Sequence, residues 1–234
     1  MNFLFCENPL NRHSVDDEYD KEYQIAKELG HQLFLCNFEK LVQIKDASAA
    51  IKNIYPALQH QTIIYRGWML KPNEYQILYE ALASKNYRLI NTPQEYRNCH
   101  YLPDSLKYIE HLTPKTVWVK WNDTNTDFSP IFELLKPFGN IAIILKDFVK
   151  SQKHNWDTAC FILDASDGKK VVSVVRNFLD WQGDDLNEGL DFSSVCSACR
   201  FDISFQKRNA AQAGISLILL RTLSDFLLRL LGRR

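Results

Sequence analysis

Residues 61–90 read QTIIYRGWMLKPNEYQILYEALASKNYRLI, and their pattern decides the fold class. Thr62 to Tyr65 is a strongly apolar run of strand length, read as a buried parallel strand. Pro72 suits the first turn of a helix, and Tyr75, Leu78, Tyr79 and Leu82 recur at helical spacing between Glu74 and Ser84. Tyr87 to Ile90 resumes a strand. Strand, helix and strand in this order predict an open α/β sheet.

The same alternation extends toward the N-terminus. Asn2 to Cys6 and Gln32 to Phe38 are short apolar runs, with a charged, apolar-periodic stretch from Asp16 to Leu29 between them. Gly30 stands where a helix C-terminal cap is expected, and a second helix is predicted around Ala47 to Ile54. Ligands of such sheets gather beyond the carboxyl ends of the strands, here Glu7 to Arg12, Arg66 to Met69 and Asn91 to Thr92.

Toward the C-terminus, Pro103 and Pro114 bracket a connecting segment, and a second subdomain is expected beyond it. Strands are read at Thr116 to Lys120, Ile141 to Lys146 and Phe161 to Leu163, with helices at Ile131 to Leu135 and Lys169 to Trp181. Gly183-Asp184-Asp185 reads as a turn, and Gly189 as a turn glycine. Gly214 to Leu231 reads as an apolar helix broken by Arg221, Asp225 and Arg229, too charged for a transmembrane span and suited to a partner face or a membrane surface.

Composition is that of an ordinary globular protein. Its 234 residues suit one large domain or two small ones, and 28 basic and 28 acidic side chains cancel, so no global field recruits nucleic acid or anionic membrane. The six cysteines are scattered, mostly in apolar runs, which reads as reduced buried thiols. The opening MNFLFCENP lacks the features of a signal peptide, and a cytoplasmic location is expected.

The densest polar constellation is Lys146, Asp147, Lys150, Ser151, Lys153, His154 and Asn155, directly after an apolar strand. Lysines at a strand end suit phosphate oxygens as point charges, and Ser151 and backbone amides add donors; a solvated basic loop is the plain alternative. Arg66, ending a strand at the sheet's binding edge, is placed to clamp a carboxylate or phosphate, or to form a structural ion pair. Asn91-Thr92-Pro93 is read as an ordinary strand-to-helix junction, and Cys196-Ser197-Ala198-Cys199 as fortuitous spacing, since no second metal-ligand pair follows it. G-x-x-x-x-G-K-[ST], G-x-S-x-G and H-E-x-x-H are all missing. No G-x-G-x-x-G follows the first strand, which weighs against a dinucleotide-binding Rossmann protein.

Taken together, FLFCENPLN (3–11), YRGWML (65–70), RLINTPQEYRNCHYLP (88–103), ILKDFVKSQKHNWDTACFI (144–162) and FLDWQGDDLNEGL (178–190) resemble the phage- and bacteria-associated ATP-grasp clade that takes its name from its signature arginine and lysines. The resemblance runs from Met1 to about Leu190. It implies an α/β fold with a Rossmann-like pre-ATP-grasp domain at 1–100 and the small α+β nucleotide-binding subdomain at 101–192, followed by an atypical tail at 193–234. It further implies ATP and magnesium as cofactors. Lys146 would contact ATP phosphate, Lys150, Ser151, Lys153 and His154 would lie in the loop closing over it, and Arg66 would face the substrate or acyl phosphate. The implied activity is a carboxylate–amine ligase acting on a carboxylate or protein substrate through an acyl phosphate.

The chain departs from the family after Leu190, where DFSSVCSACRFDISFQ stands in place of the expected arginine-bearing strand and no magnesium-binding carboxylate and asparagine set follows. The expectation is therefore a chain lacking the family's C-terminal lobe and without turnover; a non-catalytic nucleotide-binding or interaction module is the alternative. The tail helix would cover the exposed surface or join copies of the chain.

Overall fold

Four apolar runs become β1 (Asn2–Cys6), β2 (Gln32–Cys36), β3 (Gln61–Arg66) and β4 (Tyr87–Leu89), which pair in parallel in the order β2-β1-β3-β4. The computed structural model describes residues 1–122 and 126–195. They fall into two units, Met1–Ile109 and a second beginning at Glu110. Leu4, Phe5 and Cys6 are all fully buried. Successive strand side chains point to opposite faces, so both faces of β1 are covered, as a parallel sheet requires.

Helices α1 (Asp20–Glu28), α2 (Phe38–Val42), α3 (Ala47–Ala50), α4 (Pro72–Ala83), α5 (Pro93–His100) and α6 (Leu102–Ile109) complete the first unit. Gly30 takes a φ of +73° just beyond α1, the left-handed position that ends many helices. At α4 the Glu74 carboxylate accepts the Lys71 N–H at 2.8 Å and Pro72 opens the first turn. At α5, Thr92 and Glu95 cap each other reciprocally, the strand-to-helix junction read from Asn-Thr-Pro.

Several boundaries differ from the sequence reading. Asn37 ends β2 early because its side chain accepts the Lys40 N–H at 2.8 Å and starts α2. The helix read over 47–54 stops at Ala50, although Ile51 and Ile54 stay buried. The segment after Pro103 is α6 rather than a plain connection, with Pro103 tolerated in its first turn, and the Arg97–Asp104 ion pair at 2.8 Å ties it to α5. The first unit thus includes α6 and ends at Ile109.

The second unit is an antiparallel sheet in the order β5-β8-β6-β7, from β5 (Thr116–Lys120), β6 (Ile143–Asp147), β7 (Phe161–Ile162) and β8 (Gly189–Ser194). α7 (Ser129–Leu135) and α8 (Gly168–Gln182) share its core, in which Ile131, Leu135, Val171, Val174 and Phe178 pack with Ile143, Leu145, Leu190 and Phe192. Asp167 caps α8 by accepting the Lys170 N–H at 3.0 Å, and Gly183, at φ +49°, follows its end.

The main correction concerns β8. Gly189 is not in a turn but begins a strand inserted between β5 and β6. A Cβ at Gly189 would lie 2.3 Å from the Val119 carbonyl oxygen and 2.6 Å from the Phe148 ring, so the position admits only glycine. The strand extends four residues past Leu190, into the stretch read as the family's departure point. The Cys196–Cys199 pair and the tail helix with its homo-oligomer role lie outside the described residues. Among the described residues no helix is long and apolar enough to cross a membrane.

Candidate functional site

The period of two in each strand of the second sheet sends Val117, Val119, Leu145, Leu190 and Phe192 into the core and leaves the alternate residues on the opposite face. Register aligns these in rows. Trp118, Asp191 and Lys146 stand directly opposite one another across β5, β8 and β6, with Lys120 beside Gly189 and Thr116 beside Ser193 in the flanking rows. Trp118 is 41% exposed, and its ring meets Phe148 edge-on with centroids 5.7 Å apart.

At the centre of this face is an unequal pair. The Asp191 side chain is 0% exposed and that of Lys146 is 29% exposed, and Lys146 Nζ lies 3.4 Å from Asp191 Oδ1. Neither oxygen of Asp191 has a hydrogen-bond partner among the described residues. Desolvation therefore dominates: burial pushes the Asp191 carboxyl up to about 7, opposed by Lys146 and reinforced by the negative charge of Asp147. Near neutrality, Asp191 only partly neutralises Lys146. That leaves a cation reaching from a sheet face with part of its charge uncompensated.

Asp147, the next residue along β6, points the other way and anchors the loop. Its buried carboxylate accepts Val149 N–H at 2.7 Å, Gln182 Nε2–H at 2.7 Å, Asn187 N–H at 3.2 Å, Asn187 Nδ2–H at 2.7 Å and the Lys150 N–H. The Asp147 N–H returns a bond to the Lys150 carbonyl at 2.9 Å. Lys150 thus has its backbone clamped at the strand end while its side chain is exposed. Ser151 is half-buried, and Gln152 donates to the Gln182 side chain. Lys153–Asn155 forms a short 3-10 turn in which His154 is exposed. Lys146 thus lies next to last in β6, and residues 150–154 follow directly after the strand.

Arg66 occupies the carboxyl edge of the first sheet, as the last residue of β3. Its guanidinium donates to both oxygens of Glu22, at 2.6 and 2.7 Å, and this pairing raises its pKa. The structural ion pair that the sequence left open is therefore present. Both partners are about half-exposed, so the fork remains within reach of a competing anion.

Sequence reasoning missed Trp118, Lys120 and Asp191. The alternation in TVWVK (116–120) carried the first two; Asp191 was hidden because β8 was not recognised. Lys146 and the neighbouring lysines suit a polyphosphate. Magnesium is a different matter: among the described residues no group of three or more His, Cys, Asp or Glu side chains is arranged to hold a metal ion. These residues alone do not fit the ion, and no reaction step is assigned to it.

No protein-family model and no curated protein matches the chain. Solved structures do. A RimK domain ATP-grasp protein from Sphaerobacter thermophilus aligns over 82% of this chain and 63% of its own, at 14% identity and a TM-score of 0.48. D-alanyl-alanine synthetase A from Vibrio cholerae aligns over 82% and 58%, at 11% identity and a TM-score of 0.45. A D-alanine–D-alanine ligase from Bacillus anthracis, solved with ATP, aligns over 84% and 58%, at 9% identity and a TM-score of 0.46. The chain thus spans 58–63% of the lengths of these three ATP-grasp and ligase structures.

Proposed function

We propose that this chain is an ATP-grasp protein and that the open face of its second sheet binds the phosphates of ATP through Lys146, with Lys150, Ser151, Lys153 and His154 in the loop beside it. The observation that carries the reading is the partly exposed Lys146 ammonium at the centre of the face, beside a buried carboxylate that only partly neutralises it. An ammonium so placed gains more from a polyphosphate than from bulk water. Trp118, half-exposed in the same row, offers a flat apolar surface on which a base can stack.

In this reading the first unit is the Rossmann-like pre-ATP-grasp domain and the second the small nucleotide-binding subdomain. Arg66 would engage the substrate or acyl phosphate by exchanging Glu22 for it. The reaction class is carboxylate–amine ligation. The alternative reading is a non-catalytic nucleotide-binding or interaction module. The ligase and the nucleotide-binding module both require ATP binding.

Calorimetric titration of the purified chain with ATP tests that requirement. Lys146→Ala removes a charge-assisted contact worth about 1.5–3 kcal/mol, so the dissociation constant should rise roughly tenfold to a hundredfold. Because Lys146 also faces the buried Asp191 carboxyl, the variant should melt below the wild type at pH 8, and its folding is checked in the titration buffer before affinities are compared. An unchanged affinity would remove Lys146 from the site.

A further inference from the structure

The carboxyl ends of β1 and β2 hold a pair of cysteines that the nucleotide reading does not use. Cys6 and Cys36 are register partners on adjacent parallel strands, and both are fully buried. Adjacent strands lie about 4.8 Å apart, within the roughly 4.4–6.8 Å that disulfides span between Cα atoms. The backbone holds both residues in place, since Cys36 O accepts the Glu7 N–H and Cys6 O accepts the Asp16 N–H, each at 2.9 Å.

The sulfur environments are unequal. Cys6 Sγ lies 3.5 Å from the Tyr65 hydroxyl. The Tyr65 O–H donates to the Trp68 carbonyl at 2.7 Å. Its neighbours draw the Cys6 thiol below its ordinary value, Cys36 foremost, whereas the same neighbour and burial push Cys36 upward. The roof over Cys6 is the Gly67 turn. A Cβ at Gly67 would stand 2.5 Å from Cys6 Sγ and 2.7 Å from the Tyr65 hydroxyl oxygen, so only a glycine fits over the sulfur, beside a half-exposed Trp68.

We infer that Cys6 and Cys36 form a hydroperoxide-sensitive dithiol, with Cys6 as the attacking thiolate and Cys36 as the resolving thiol. In the first step Cys6 sulfur bonds to one peroxide oxygen and the O–O bond breaks. Sulfur loses two electrons to become a sulfenic acid, and the other oxygen leaves with a proton as water or alcohol. In the second, Cys36 gives up its proton and attacks Cys6 sulfur. The S–O bond breaks, the hydroxyl leaves with that proton as water, and a disulfide joins the two strands. Access to the sulfur runs through opening of the Gly67–Trp68 turn.

The test treats the folded full-length chain with hydrogen peroxide in slight excess, alkylates it in denaturant and maps the thiols by peptide mass spectrometry. A Cys6–Cys36 linked peptide, reverting to two alkylated cysteines after dithiothreitol, is expected. Cys36→Ser should instead accumulate a Cys6 sulfenic acid trapped by dimedone. If Cys6 stays fully alkylated while exposed Cys99 oxidises, or if disulfides form only among other cysteines, the inference is overturned. The wild-type arm needs no variant to fold, and neither arm depends on ATP binding.

Discussion

Asp191→Asn should make the protein more stable at pH 8 and change it little at pH 4. The wild-type carboxyl is buried and without hydrogen bonds, and its folded pKa of about 7 lies above the ordinary carboxylate value. The unfolded chain therefore ionises first. The favourable contribution of the neutral acid is complete below about pH 4 and disappears as pH rises through about 7. Some three pH units of mismatch correspond to on the order of 4 kcal/mol. Asparagine keeps the shape and carries no charge, so the gap between variant and wild type should widen across that window in urea denaturation. Taking the difference between the two proteins cancels the opposite slopes of other carboxylates. A gap of equal size at both pH values would show that Asp191 ionises without penalty.

Asp147→Ala should destabilise the second unit by on the order of 3–5 kcal/mol, because five N–H groups lose one buried acceptor together. Two of these belong to the Val149–Lys150 turn, two to Asn187 and one to Gln182 at the end of α8. The carboxylate thus ties the candidate loop to the segment that leads into β8. Denaturation gives the size of the loss. Faster amide exchange at Val149 and Lys150 than at the β5 core would locate it. A loss below about 1 kcal/mol would mean that water replaces the carboxylate freely.

The fold was legible where a single apolar pattern matched a single element. Asn2–Cys6 and Thr116–Lys120 were bounded to the residue, because each run ends against a polar or proline-bearing segment. Lys146 was also legible, being the charged end of an apolar strand. β8 was not. Its GLDFSS mixes glycine, acid and serine with two apolar residues, and only the close approach of Val119 and Phe148 explains why glycine belongs in a strand there. The Glu22 partner of Arg66 was equally hidden, 44 residues away on α1. Likewise Asp147 looked like one more polar loop residue, whereas its partners Gln182 and Asn187 lie 35 and 40 residues further along the chain. Local pattern carries no information about such pairings; the sheet register creates them.

Hydrogen–deuterium exchange of the purified chain, with and without saturating ATP, tests the central claim most directly. Binding on the open face of the second sheet predicts slowed exchange in β5, in β6 and across residues 147–155. The strand ends of the first unit, at 7–12, 66–69 and 91–92, should change little. Protection confined to those first-unit ends, or no protection anywhere in the second unit, would contradict the account.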